Sequence, residues 1–273
     1  GLPEIMDGDT VYNMGPEEFA SFGPLLVEAG ASVLGGCCGT TPAYVAKLKE
    51  MVATVNASVV KKKPRQLAVC TPLKTVVVDQ PRIVGERINP TGKKRFKQAL
   101  RDNDMNYILS QAIEQIDAGA DILDVNVGSP DIDEKEMMVK VIKALQAIVD
   151  VPLQIDSTKP EVLEAALRVY NGKPIVNSVN GEEEVLDTIL PIVAKYGGAV
   201  IGLALDENGI PPTAEGRVEI AKRIRDKAMS YGIPKEDIII DCLTLTVSAE
   251  QKAAAETLKA MNIVKNELGL RTV

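Results

Sequence analysis

From Arg82 onward, short apolar runs alternate with longer amphipathic stretches, a succession that predicts strand and helix in regular turn. The runs at 83–87, 121–125, 153–156, 175–178, 199–205 and 237–242 read as strands. The stretches at 102–118, 132–148, 160–170, 183–196, 213–230 and 249–267 read as helices. Alternation of this kind calls for a parallel sheet with right-handed crossovers. Gly119, Gly172 and Gly197-Gly198 each fall where a helix must stop just before the next strand. Arg271-Thr272-Val273 reads as the opening of a seventh strand.

A different block precedes this one. A helix is predicted over 16–30, ending on Gly30, and a short strand over 31–34 leads into Gly35-Gly36-Cys37-Cys38-Gly39. Thr41-Pro42 opens a further helix that runs to about Val55, with proline at an early helical position. A polar, lysine-rich connector over 56–66 follows, and then a β-rich segment over 67–78 with a turn at Thr71-Pro72.

Nearly every predicted strand of the second block ends on a carboxylate or carboxamide: Glu86 and Asn89, Asp124 and Asn126, Asp156, Asn177 and Asn180, Asp206, Asp241. Such groups are unfavourable at a buried strand end unless each finds a partner. In a barrel of parallel strands those ends meet at the C-terminal rim, where chemistry is built. The fold class expected is therefore α/β, of (β/α)8 TIM-barrel type, with the end of one barrel and most of a second in this chain, both incomplete. An open doubly wound sheet is the rival, and the segment Gly85-Glu86-Arg87-Ile88-Asn89-Pro90 lacks the GxGxxG turn such a nucleotide-binding sheet carries.

Composition narrows the function. The net charge of −7 gives no basic surplus for nucleic acid, and 3% aromatic residues leave few stacking platforms. The cationic run Lys61-Lys62-Lys63 with Arg65 reads as a solvated connector. No apolar run approaches the length of a membrane span. Histidine is absent, which removes every mechanism built on an imidazole. Four cysteines that include the adjacent pair Cys37-Cys38 suit a reducing, cytoplasmic setting better than a disulfide framework.

Two glycines let the backbone turn tightly before Cys37-Cys38, which brings both sulfurs near one point. They read as metal thiolates, a redox pair, or small buried hydrophobes. In the second block, a buried Asp124 or Asp156 suits two N–H donors of an aminopyrimidine edge. Asn89, Asn126 and Asn177 both donate and accept, which suits alternating ring nitrogens and carbonyls. Each of these residues, taken singly, also reads as a cap for the next helix or turn. The basic loop Pro90-Thr91-Gly92-Lys93-Lys94-Arg95 could hold an anion.

Together these strings resemble the cobalamin-dependent methionine synthases. Gly-Gly-Cys-Cys-Gly-Thr-Thr-Pro at 35–42 is similar to the zinc-thiolate strand of their homocysteine-binding barrel. Gly-Glu-Arg-Ile-Asn-Pro-Thr-Gly at 85–92, Leu-Asp-Val-Asn at 123–126, Ile-Asp-Ser at 155–157 and Val-Asn-Ser at 176–178 resemble their pterin-binding barrel. The resemblance implies the end of the homocysteine barrel over 1–55, a linker over 56–80, and the pterin barrel without its last strands over 81–273. It implies zinc on Cys37 and Cys38, the third cysteine lying on an earlier strand. It implies methyltetrahydrofolate held by Glu86, Asn89, Thr91, Gly92, Lys93, Asp124, Asn126, Asp156, Asn177 and Asp241. Of these, Asp124, Asp156 and Asn177 would act in catalysis, and the methyl group would pass through cobalamin, on a domain outside this chain, to homocysteine. A methyltransferase acting on a corrinoid protein, which lacks the Gly-Gly-Cys-Cys segment, and a non-catalytic folate-binding module are the alternatives.

Overall fold

The computed structural model describes residues 3–53, 55, 65–245 and 251–273, so the Lys61-Lys62-Lys63 run and most of the predicted connector lie outside the described residues. The chain divides into two compact units, Gly1–Pro64 and Arg65–Val273.

The first unit holds an antiparallel hairpin of β1 (Glu4–Met6) and β2 (Asp9–Val11), then α1 (Pro16–Ser21), α2 (Gly23–Glu28) and α3 (Pro42–Val52). The single helix expected over 16–30 is two helices. Pro24 has no N–H to give to the carbonyl of Ala20, so the ladder breaks at Phe22 and restarts. The strand expected over 31–34 is absent. No strand among the described residues runs beside it to complete a ladder, and Val33 is 91% exposed. Ala20, Val27 and Leu48 form the buried centre, and Phe19 meets Tyr44 edge-on at 5.6 Å.

The second unit opens with an antiparallel hairpin, β3 (Ala68–Cys70) and β4 (Thr75–Val77). Strand and helix then alternate: β5 (Val84–Ile88), α4 (Lys94–Asp102), α5 (Met105–Asp117), β6 (Ile122–Val125), α6 (Glu134–Ile148), β7 (Leu153–Asp156), α7 (Pro160–Val169). They continue with β8 (Ile175–Val179), α8 (Glu183–Tyr196), β9 (Ala199–Leu203), α9 (Ala214–Ser230), β10 (Ile238–Asp241), α10 (Gln251–Asn266) and β11 (Arg271–Thr272). Strands β5 to β11 lie in chain order in one sheet, every neighbouring pair parallel. This is the curled parallel sheet of a TIM-type barrel, seven strands of it among the described residues. The helix expected from residue 102 instead begins at Met105, after Asn103 takes a left-handed conformation. Ahead of it stands α4, whose buried Phe96, Ala99 and Leu100 have helical spacing.

The sheet buries two faces. Its outer face, including Leu123, Val125, Ile155, Val176, Val200 and Ile240, packs under the helices. Its inner face gathers Ile122, Ile175, Ala199, Ile201 and Ile239 around Leu67, Val69 and Val76 of the hairpin. The hairpin therefore plugs the barrel at the end where the strands begin. Each of its three buried apolar side chains contributes about 1.5–3 kcal/mol of burial. Its attachment depends on Gly172, where φ is +143° and a Cβ would lie 2.1 Å from the carbonyl oxygen of Cys70. Beside that contact, Cys70 and Lys173 exchange two backbone hydrogen bonds of 3.0 Å.

Candidate functional site

Side chains alternate across a strand, so every second residue enters the barrel. Along β6 the inward series is Ile122, Asp124 and then Asn126; along β7 it is Gln154 and Asp156; along β8, Ile175 and Asn177. The interior thus passes from an apolar layer against the hairpin to a polar layer at the rim.

Register brings the polar residues together. Asp124 lies opposite Gln154, and Asp156 opposite Asn177. The Nε2 of Gln154 donates to Asp124 Oδ1 at 2.6 Å, and the Nδ2 of Asn177 donates to the same oxygen at 3.3 Å. Asn126 donates to Asp156 Oδ2 at 2.9 Å and accepts from the backbone of Gly128 at 2.8 Å. Asp124 is 2% exposed, yet its Oδ2 has no partner; among the described residues it shares that state only with Ser129 Oγ.

Strand β5 delivers its part through a bulge between Gly85 and Ile88. The Oε1 of Gln115, reaching in from α5, accepts the freed N–H of Arg87 at 2.6 Å. Gly85 leaves room for that oxygen, because a Cβ there would approach it to 2.7 Å. Glu86 then accepts from Asn89 Nδ2 at 2.6 Å and pairs with Lys93 at 3.3 Å. Asn89 Oδ1 accepts the N–H of Thr91 at 2.8 Å, and Gly92 completes the turn with φ +71°.

Burial raises the pKa of three carboxyl groups here and makes them weaker acids: Asp124, Asp156 and Asp241. The Asp124 carboxyl is raised to about 7, first by desolvation and then by the charge of Asp156, against the opposing hydrogen bonds from Gln154 and Asn177. Asp156 is raised by desolvation, with Glu86 and Glu134 adding to it and Asn126 opposing. Asp241, at the end of β10, is raised by burial, but its carboxylate is bonded to the N–H of Leu243 at 2.8 Å and reaches none of the other site residues by hydrogen bond.

The structure thus gathers eight of the predicted residues on one rim in three bonded groups: Glu86 with Asn89, Thr91 and Lys93; Asp124 with Asn177; and Asn126 with Asp156. Asn180 and Asp206 serve local turns instead. Asn180 accepts from the backbone of Glu182 at 3.0 Å, and Asp206 accepts from that of Asn208 at 3.0 Å and pairs with Arg223. Two further groups were not anticipated. Gln154 is the closest partner of Asp124, and its signal was its place two residues before Asp156 in an apolar strand. Glu134, at the start of α6, binds Ser157 at 2.6 Å and Lys159 at 2.8 Å beside Asp156.

In the first unit, the sulfurs of Cys37 and Cys38 are 3.6 Å apart and line a pocket of about 390 Å³ with Tyr12, Phe19 and Tyr44. Hydrogen bonds from Cys38 hold the Cys37 thiol below its ordinary range. Among the described residues, no group of three or more His, Cys, Asp or Glu side chains gathers as a metal site. No helix among them is long and apolar enough to cross a membrane.

Residues 85–273 match the family described as "Pterin binding enzyme", and residues 1–52 match "Homocysteine S-methyltransferase". The chain is 32% identical to the methionine synthases of Mycobacterium leprae and Mycobacterium tuberculosis, over 97% of its own length in each case. It spans 24% and 23% of those relatives. In fold it is similar to dihydropteroate synthases. That of Vibrio fischeri gives a TM-score of 0.56 at 18% identity, with 76% of each chain covered. That of Xanthomonas albilineans in complex with 7,8-dihydropteroate gives 0.57 at 21%, again with 76% of each covered. With more than half its length matched, the chain belongs to the pterin-binding enzyme family, in the methionine-synthase arrangement that sets a homocysteine S-methyltransferase segment before the pterin barrel.

Proposed function

We propose that this chain serves a methyltransferase that takes a methyl group from 5-methyltetrahydrofolate and delivers it, by way of cobalamin, to homocysteine. The observation that carries the reading is the bare Oδ2 of Asp124, a buried acceptor among amides and a second carboxylate, in a barrel of the pterin-binding family. A buried acceptor without a partner costs about 1–3 kcal/mol, and a ligand N–H repays that cost on binding. The 2-amino and N3 edge of a pterin is such a donor. Asn177 retains a carbonyl oxygen free for a second ring N–H. Asp156, held by Asn126, offers the neighbouring acceptor, and burial, with the charge of Asp156 adding to it, raises the pKa of Asp124 to about 7.

Methyl transfer from a tertiary amine requires that N5 gain positive character before it leaves. A rim of carboxylates favours that cation electrostatically. The chain has no histidine, so the proton at N5 is held through carboxyl groups or water.

Cys37 and Cys38 fit part of a zinc site. Two thiolates on a tetrahedral zinc at about 2.3 Å stand roughly 3.8 Å apart, close to the spacing here. Zinc bound there would hold a homocysteine sulfur as thiolate at neutral pH, and cobalamin, on its own domain, would carry the methyl group. The pocket around the two cysteines would seat the substrate's short aliphatic chain against Tyr12 and Tyr44.

Calorimetric titration with 5-methyltetrahydrofolate tests the pterin site. Asp124→Asn and Asp156→Asn are each expected to weaken binding at least tenfold. Undiminished affinity in both variants would refute the assignment.

A further inference from the structure

Asp124 is held asymmetrically. Two amide donors, Gln154 from the adjacent β7 and Asn177 from β8 beyond it, converge on Oδ1, while Oδ2 is buried and bare. Gln154 is the closer of the two, 6% exposed, and it sits directly opposite Asp124 in the parallel ladder. Its side chain lies on the last apolar layer of the interior, beside Ile122 and Ile175 in the cavity above the hairpin. Its neighbours Ile122 and Ile175 are hydrocarbon, and the hydrogen bond its amide makes is the one to Asp124.

We propose that Gln154 is a positioning residue for Asp124: by filling Oδ1 from the facing strand, it reserves Oδ2 as the atom that meets the ligand. This rests on the pterin reading for the identity of the ligand, though the role itself concerns Asp124 alone. Oδ1 is already occupied by two donors, so a proton taken up by Asp124 goes to Oδ2. Proton and ligand N–H then compete for one atom, and affinity for an N–H donor falls as Asp124 is protonated. The groups that face Asp124 are Gln154 and Asp156 from β7, Asn177 from β8 and Glu86 from β5. Gln154 does not titrate, so its effect on Asp124 is a fixed stabilisation of the ionised form.

The test follows Asp124 directly. Protein carrying 13C-carboxyl aspartate is titrated by NMR, the Asp124 signal being assigned by its loss in Asp124→Asn. Gln154→Met keeps the length of the side chain and removes its donor. The Asp124 midpoint is expected to rise by about one pH unit, because the lost bond is stronger to the carboxylate than to the neutral carboxyl. Gln154→Leu, which also removes the donor and adds no charge, is expected to raise it similarly and decides the matter should the methionine variant not fold. An unmoved midpoint in a folded variant overturns the proposal. The pterin reading is judged separately, by titrating the parent protein with 5-methyltetrahydrofolate across the same pH range. A moved midpoint without pterin binding keeps the positioning role and removes the pterin. Pterin binding with an unmoved midpoint does the reverse.

Discussion

Replacing Asp124 by asparagine should make the protein less sensitive to alkali. The carboxyl is raised from 3.8 to about 7, chiefly because burial penalises the charge. Between those values the unfolded chain has already released the proton that the folded chain still holds. Stability therefore falls as pH rises through that window, and the loss is complete once pH passes the folded value. From pH 5 to pH 8 the two protonation curves imply a loss of about 2–3 kcal/mol assignable to this residue. Asparagine keeps an acceptor for Gln154 and Asn177 and has nothing to ionise. Any fixed penalty from its extra amide is the same at both pH values and cancels in the comparison. Asp156 is close enough that its own titration shifts when Asp124 is neutralised, so the measured difference belongs to the pair. Urea unfolding followed by circular dichroism at pH 5 and pH 8 supplies the four free energies needed. The parent should lose about 2–3 kcal/mol more than the variant over this interval. Parallel pH dependence in the two proteins would refute the claim that Asp124 is buried with a raised affinity for its proton.

Other parts of the structure make predictions of their own. Arg217 is 1% exposed and donates to Pro211, Cys242, Leu243 and Thr257, so Arg217→Met should cost at least about 3 kcal/mol, measured by urea unfolding. Gly172→Ala drives a methyl group into the Cys70 carbonyl and should cost about 2–4 kcal/mol. Hydrogen exchange should then quicken at Val69 and Val76 in the hairpin before it does in the sheet. Cys38→Ser should lower the zinc content of protein purified with the metal, measured by atomic emission; unchanged zinc would remove Cys38 from the ligand set.

The second unit was legible because its signals repeat. Each strand is a short apolar run stopped by a polar residue, and each intervening helix carries its own apolar stripe. Gly119, Gly172 and Gly197 take the positive φ expected of helix exits. The helix at Lys94–Asp102 escaped notice because its lysines and arginines made it read as a basic loop, although Phe96, Ala99 and Leu100 already marked one face. In the first unit the signals were short and unsupported. The Asp7-Gly8 turn between β1 and β2 joins strands of three residues each, and Val33 sits in an apolar run with no neighbour to pair with among the described residues. At the site, residue types at strand ends were readable, but partnership was not. That Gln154 rather than Asp156 faces Asp124 depends on register, which sequence alone leaves open.

The inward and outward positions of these strands answer to different neighbours. Leu123 and Val125 pack under helices, whereas Asp124 and Asn126, which alternate with them, answer to the polar side chains at the mouth of the barrel. A substitution at an inward rim position can thus retune recognition while the seam between sheet and helices stays intact. One scaffold can in this way be fitted to a new heterocycle by exchanging alternate letters of a four-residue word.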